Sequence, residues 1–177
     1  MPCYVAFLRA INVGGHIVKM DRLRRLFEAI PLAGVSTFIA SGNVLFESAN
    51  PAAQLEASIE RQLKGALGYD VTTMVRSTSE LSAIVGLVEA RRLGPGGRVT
   101  LYVGFLKSAP PGEVARAVGA LSNESDMLSV HGRELYWRCA TSFSQSTIAG
   151  AKLEKLVRIP ATFRNFNTVQ KIAQKAH

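Results

Sequence analysis

Residues 35–48 read VSTFIASGNVLFES. Two short runs rich in β-branched and aromatic side chains, VSTFIA and NVLFES, flank Ser41-Gly42-Asn43, and a Gly-Asn step between such runs is a hairpin signal. Upstream, Asp21 is placed to cap a helix whose apolar face is Leu23, Leu26, Phe27 and Ile30, the i, i+3, i+4, i+7 spacing of an amphipathic helix. Before that helix come a strand-like CYVAFL at 3–8 and a polar, glycine-containing stretch from Arg9 to Lys19. Downstream, Asn50 and Pro51 supply an N-cap and a first helical position. Leu55, Ile59, Leu63 and Leu67 line one face of that helix, which stops near Gly68. VTTMV at 71–75 is a further strand. The order is β-α-β-β-α-β, the split βαβ of ferredoxin-like folds.

The pattern then repeats. Ser77-Thr78-Ser79-Glu80 is a capping box opening a helix with Leu81, Ile84, Val85 and Val88 inward. A glycine-rich connector, Gly94-Pro95-Gly96-Gly97, precedes the strand RVTLYVGFLK. Pro110-Pro111 introduces a helix carrying Val114, Val118 and Leu121. Met127 to His131 and Glu134 to Cys139 form a second hairpin, turning at Gly132-Arg133. A Ser/Thr-rich loop, Thr141 to Thr147, leads to a helix around Lys152 to Val157. The segment near Thr162 supplies a final strand, and a last helix starts at about Asn167, where Asn167 and Gln170 have capping-box spacing. The expected fold class is α+β, with two ferredoxin-like (βαββαβ-type) halves at 1–77 and 78–177 and a C-terminal helix.

Composition bounds the function. Of 177 residues, 47% are hydrophobic and 19% charged, ordinary for a chain with a real core. No apolar run approaches the roughly 20 residues that cross a bilayer, and Arg9 interrupts the apolar amino terminus, so no membrane partner and no signal peptide are expected. Cys3 and Cys139 lie far apart, each in a strand, with no CxxC spacing; reduced, buried thiols and a cytoplasmic location follow. The net charge of +8 favours anionic partners, either nucleic acid or a phosphorylated or carboxylated small molecule, although a basic surface also simply keeps a protein soluble.

Three stretches carry candidate chemistry. In Arg9-Ala10-Ile11-Asn12-Val13-Gly14-Gly15-His16, paired glycines let backbone N–H groups converge on an anion, the following helix terminus adds partial positive charge, and Arg9 and Lys19 flank the loop. The stretch has neither the Gly-Lys-Ser/Thr of a Walker A loop nor GxGxxG, and a plain glycine turn explains it equally. Ser41-Gly42-Asn43 is first of all turn chemistry, with polar side chains at the hairpin tip. In Thr162-Phe163-Arg164-Asn165-Phe166-Asn167-Thr168, a polar pair between two aromatics suits planar, bidentate recognition. His16, His131 and His177 show no metal-ligand spacing, so no metal is expected. His16, beside the glycines, is an acid–base candidate because histidine ordinarily titrates near 6.5. Ser142, Ser144 and Ser146 lack a GxSxG elbow, which makes a hydrolase triad a weak reading.

Together, YVAFLRAINVGGHIVKMDRLRRLFE, VSTFIASGNVLFES and ATFRNFNTVQKI resemble the domain-of-unknown-function 1697 family of bacterial proteins. The first and last bracket nearly the whole chain. Ala10 stands where the family's LRGINVGG pattern often has Gly, and Phe166 where Trp is usual. The resemblance implies an α+β fold with ferredoxin-like halves and no established activity, so it names no catalytic residue and no cofactor. It places Arg9, Asn12, Gly14, Gly15, Ser41, Gly42, Asn43, Arg164, Asn165 and Thr168 on family motif positions.

The expected ligand site comprises Arg9, Asn12, Gly14, Gly15, Lys19, Ser41, Asn43, Arg164, Asn165 and Thr168, for a small anionic or phosphorylated molecule. The first loop and the hairpin tip are expected at opposite ends of the sheet, which argues against one shared site. The alternative is a nucleic-acid-binding module using Lys152, Lys155, Arg158, Arg164, Lys171 and Lys175, although RVTLYVGFLK lacks the glycine and aromatic arrangement of an RNA-binding ferredoxin-like strand. A protein-partner module needs a large exposed apolar patch, which sequence does not reveal.

Overall fold

The structure, a computed structural model, describes residues 1–12, 14–39, 42–141, 143–148 and 150–176. The chain forms two compact units, Met1–Ala83 with Ile172–His177, and Ile84–Lys171.

In the first unit, β1 (Cys3–Leu8), α1 (Met20–Glu28), β2 (Ala33–Thr37), β3 (Asn43–Glu47), α2 (Ala52–Leu67) and β4 (Thr73–Ser77) follow in sequence. The strands lie in the order β2-β3-β1-β4 with every neighbouring pair antiparallel. Alternate strand residues Ala6, Leu8, Val44, Phe46 and Val75 turn to one face and meet Leu23 and Phe27 of α1 and Leu55, Ile59 and Leu63 of α2. Each such fully buried valine, leucine, isoleucine or phenylalanine contributes about 1.5–3 kcal/mol relative to exposure. The helical spacing of those leucines therefore fixes which side of the sheet is covered.

The second unit repeats the plan. After α3 (Thr78–Ala90) come β5 (Thr100–Leu106), α4 (Gly112–Ala120), β6 (Asp126–His131), β7 (Glu134–Cys139), α5 (Gly150–Val157), β8 (Ala161–Asn165) and α6 (Phe166–Lys175). The order β6-β7-β5-β8 is the same antiparallel arrangement. Leu106, Leu128, Leu135, Trp137 and Cys139 face Val118 of α4 and Leu153 and Val157 of α5. Within this core the fully buried Asp126 accepts hydrogen bonds from Trp137 Nε1 at 2.7 Å and Ser146 Oγ at 2.9 Å. Two ferredoxin-like halves with a C-terminal helix are the fold.

Several expected boundaries shift. Strand β2 spans Ala33–Thr37 rather than 35–40: Phe38 N donates to Asn43 O at 3.0 Å, and Ile39 then enters the left-handed region at φ 56°. Strand β4 spans Thr73–Ser77 rather than 71–75, and Val71 is buried in the helix-covered core just ahead of it. Asp21 sits in the first turn of α1 behind Lys19 at the cap position, where it complements the helix terminus but makes no cap hydrogen bond. Pro51, not Asn50, occupies the cap position of α2, because Asn50 N turns back to Ser48 Oγ at 3.2 Å. Asn165 rather than Asn167 caps α6: its Oδ1 accepts Asn167 N at 2.9 Å. The Ser77/Glu80 capping box forms as expected, with Ser77 N donating to Glu80 Oε2 at 2.8 Å and Glu80 N to Ser77 Oγ at 3.2 Å.

Strand β4 is an edge strand with an internal closure. Pairing to β1 uses alternate residues, so the N–H groups of Thr73, Val75 and Ser77 point away from it. Carboxylates accept all three: Glu60 at 2.9 Å, Glu56 at 2.8 Å and Glu80 at 2.8 Å. An open edge presents such donors to other chains; here α2 and the start of α3 answer them.

Candidate functional site

One end of the first sheet gathers three connections. Where β1 stops, Leu8 N donates to Gly42 O and Arg9 N to Thr72 O, each at 2.9 Å. The β1–α1 loop, the β2–β3 hairpin tip and the α2–β4 connection therefore meet at the same end. The expectation that loop and hairpin tip lie apart is overturned. Strand β3 runs antiparallel to β1, so it starts where β1 finishes, with Asn43 opposite Phe7. Gly42 makes the approach close: at φ +75°, an added Cβ would stand 2.7 Å from Ile11 Cγ2 and 3.1 Å from Leu8 Cβ. No other residue fits that contact and that backbone conformation together.

Within the loop, Asn12 Oδ1 accepts Val18 N at 2.8 Å and ties its two ends. Gly14 and Gly15 both have positive φ, +68° and +85°, and among the described residues, chain neighbours aside, nothing lies within 4 Å of either Cβ position. The space beside both α-carbons is therefore open. The exposed His16 ring stacks on Tyr69 at 4.1 Å and 27°, a partner contributed by the α2–β4 connection that nothing in the sequence pattern points to. Arg9 is half-buried at the root of the loop, and the exposed Lys19 stands at the cap position of α1. Lys175, from the end of α6, places Nζ 5.0 Å from the Phe38 ring centroid at the hairpin. Asn43 is fully buried, and its Nδ2 donates to Phe38 O at 3.1 Å, so this side chain pins the hairpin. Ser41 lies outside the described residues.

The third motif is in the second unit and is bound up locally. Arg164 is 8% exposed, and its Nη1 donates to Thr162 Oγ1 at 2.7 Å and Phe163 O at 2.9 Å. Burial pushes this guanidinium down to about 10, so it is still charged at neutral pH. The Asn165 amide oxygen is engaged in capping α6, and Thr168 is half-buried in that helix. The flanking aromatics are packing residues. Phe163 lies over Gly104, where an added Cβ would come within 2.6 Å of the ring, and meets Trp137 edge-on at 6.1 Å and 76°. Phe166 is buried.

Other candidates resolve similarly. Ser146 donates to Asp126; Ser142 and His177 lie outside the described residues. Cys3 is half-buried and Cys139 buried, both as thiols, and burial, then the Glu47 carboxylate, pushes the Cys3 thiol up. Among the described residues no group of three His, Cys, Asp or Glu side chains is arranged to hold a metal ion. No described helix is long and apolar enough to cross a membrane.

A βαββαβ unit built twice in one chain, the first bearing a glycine loop against its hairpin tip, defines a twin ferredoxin-like α+β protein. The chain belongs to the family described as "Protein of unknown function (DUF1697)", which it matches over residues 1–136. Its structure is similar to that of the conserved bacterial protein SP0830 from Streptococcus pneumoniae, with a TM-score of 0.78 and 24% identity over 99% of this chain and 98% of that one. At that identity the likeness establishes the fold. No curated protein is significantly similar to the chain.

Proposed function

We propose that the protein binds a small anionic or phosphorylated ligand at the β1–α1 loop of its first unit. The observation that carries this is the pair Gly14-Gly15, left-handed and unobstructed, in a loop tied by Asn12 and backed by the hairpin at Gly42. Backbone N–H groups in a glycine loop ahead of a helix suit an anion. Arg9 and Lys19 supply fixed charge at the root and far end of the loop. Asn12 and Asn43 act as positioning residues, since their side chains hold loop and hairpin in shape. Arg164, Asn165 and Thr168 belong to the second unit, and this binding reading does not need them.

The test is a thermal-shift panel of nucleotides, sugar phosphates and inorganic phosphate on the wild type, Arg9→Ala and Lys19→Ala. A rise in Tm with a phosphorylated compound, reduced in both variants, supports the site. Shifts identical in all three proteins sink it.

Nucleic acid is the competing partner. Of the sheet aromatics, Phe7, Phe46, Phe105, Tyr136 and Trp137 are buried and offer no stacking platform, while Tyr4, Tyr102 and Phe163 are half-buried. Arg164, one of the six basic residues invoked for it, is buried as well. Retention of labelled RNA that falls steeply with salt is the result that would favour it.

A further inference from the structure

The second sheet carries a separate cleft. Its strands place Leu101, Arg138 and Met127 in one cross-strand row and Tyr136 beside Ser129 in the next, on the face opposite Trp137 and Leu135. With Arg91 and Leu93, which follow α3, and His131, these residues line a cleft of about 200 Å³. Two arginines line it. Among the described residues no carboxylate lies within ion-pair distance of Arg91 or Arg138. Arg138 Nε is buried with no hydrogen-bond partner among the described residues, a costly state for a charged donor. Arg91 Nη1 lies 3.4 Å from His131 Nε2; a guanidinium only donates, so the imidazole nitrogen accepts and brings no negative charge.

Apart from Ser129, the rest of the lining is largely apolar. Leu101 and Tyr136 are buried walls, and Met127 is half exposed at the rim. The volume is below the roughly 300–1,000 Å³ of drug-sized sites, so the occupant is compact. A bare inorganic anion would satisfy the guanidiniums and leave the apolar walls in water. A neutral apolar molecule would leave Arg138 unpaired.

We infer that this cleft is a binding site for a small carboxylic acid with a compact apolar body, its carboxylate held by Arg138 and Arg91 and its body against Leu101, Tyr136 and Met127. Guanidinium and carboxylate match in a planar, two-pronged geometry. The site lies wholly in the second unit and is independent of the proposed glycine-loop site.

Benzoate is the probe, with benzyl alcohol and inorganic phosphate as controls, titrated by calorimetry into the wild type, Arg138→Gln, Arg91→Gln and Arg9→Ala. Benzoate binding is expected in the wild type and in Arg9→Ala alike, with a loss of roughly ten- to a hundredfold in each cleft variant. Neither control is expected to compete with it. If Arg138→Gln fails to fold, the exposed Arg91 makes Arg91→Gln decisive. In parallel, the His131 imidazole, assigned with His131→Gln, should titrate at higher pH when benzoate is bound, because a neighbouring carboxylate favours its charged form. No benzoate binding, equal binding in the cleft variants, or displacement by benzyl alcohol or phosphate overturns the inference. Loss of benzoate binding in Arg9→Ala would move the event to the first unit and overturn it too. A failure of the phosphate panel at the loop leaves this result unaffected.

Discussion

Ala10 holds φ 56° just after β1, a conformation in which an L side chain's Cβ crowds the following carbonyl at a cost of roughly 1–2 kcal/mol. Glycine avoids that cost, which accounts physically for the Gly often found here in the family pattern. Because glycine also loosens the unfolded chain, Ala10→Gly is expected to stabilise the protein by a net of about 0.5–1 kcal/mol. Urea unfolding measures it, and a lower midpoint would contradict the strain. The neighbouring Gly42 shows the opposite logic, since its missing side chain is what lets the hairpin meet Ile11. At this scale the sequence was partly legible. Gly14, Gly15 and Gly42 announced turns, whereas the tasks of Asn12, Asn43 and Asn165 were hidden, because an amide's partner is set by chain geometry and not by residue type.

Elements follow from local pattern where local energy decides. The Ser77/Glu80 box forms because both partners sit within one turn, and Gly68 ends α2 in the left-handed region at φ 82°. Strand ends are different: Ala33 and Gly34 carry no apolar alternation, yet β2 begins there because Ala33 pairs with Glu47. The edge of β4 is another non-local device, joining strand donors to helix carboxylates. Glu56→Ala removes the acceptor of the Val75 N–H in a buried setting and is expected to cost about 1–3 kcal/mol. Faster hydrogen exchange at Val75 than at Phe7 of β1 should accompany the loss; unchanged stability and exchange would show that the contact contributes nothing.

For the molecule as a whole, the twofold βαββαβ order is legible because the two hairpins, at Gly42 and at Gly132, each show a glycine between strand-like runs. Which loops converge is not legible in the residue pattern, for convergence depends on strand direction: an antiparallel neighbour begins where its partner ends. The cleft of the second unit is hidden for the same reason, since Arg91 follows α3 and Arg138 stands on β7, and only the fold brings them to line one cleft. Global stability should register that cleft through pH. Burial first, then the Arg91 charge, lowers the His131 pKa, while Glu134 opposite it on β7 and the Tyr136 ring 5.6 Å away complete its surroundings. The unfolded chain takes up this proton near pH 6.5, before the folded one does, so stability falls as pH drops below that value. His131→Gln should flatten that decline in urea midpoints between about pH 6.5 and 5; an unchanged slope would remove His131 from the account.

The guarded edge of β4 also has a direction in time. Glu56 and Glu60 precede Thr73 and Val75 in the chain, and a nascent polypeptide leaves the ribosome amino terminus first. The acceptors have therefore emerged before the strand whose donors they take up, and Glu80 follows three residues behind Ser77. During synthesis, a neighbouring nascent chain has only a brief interval in which to pair with that edge.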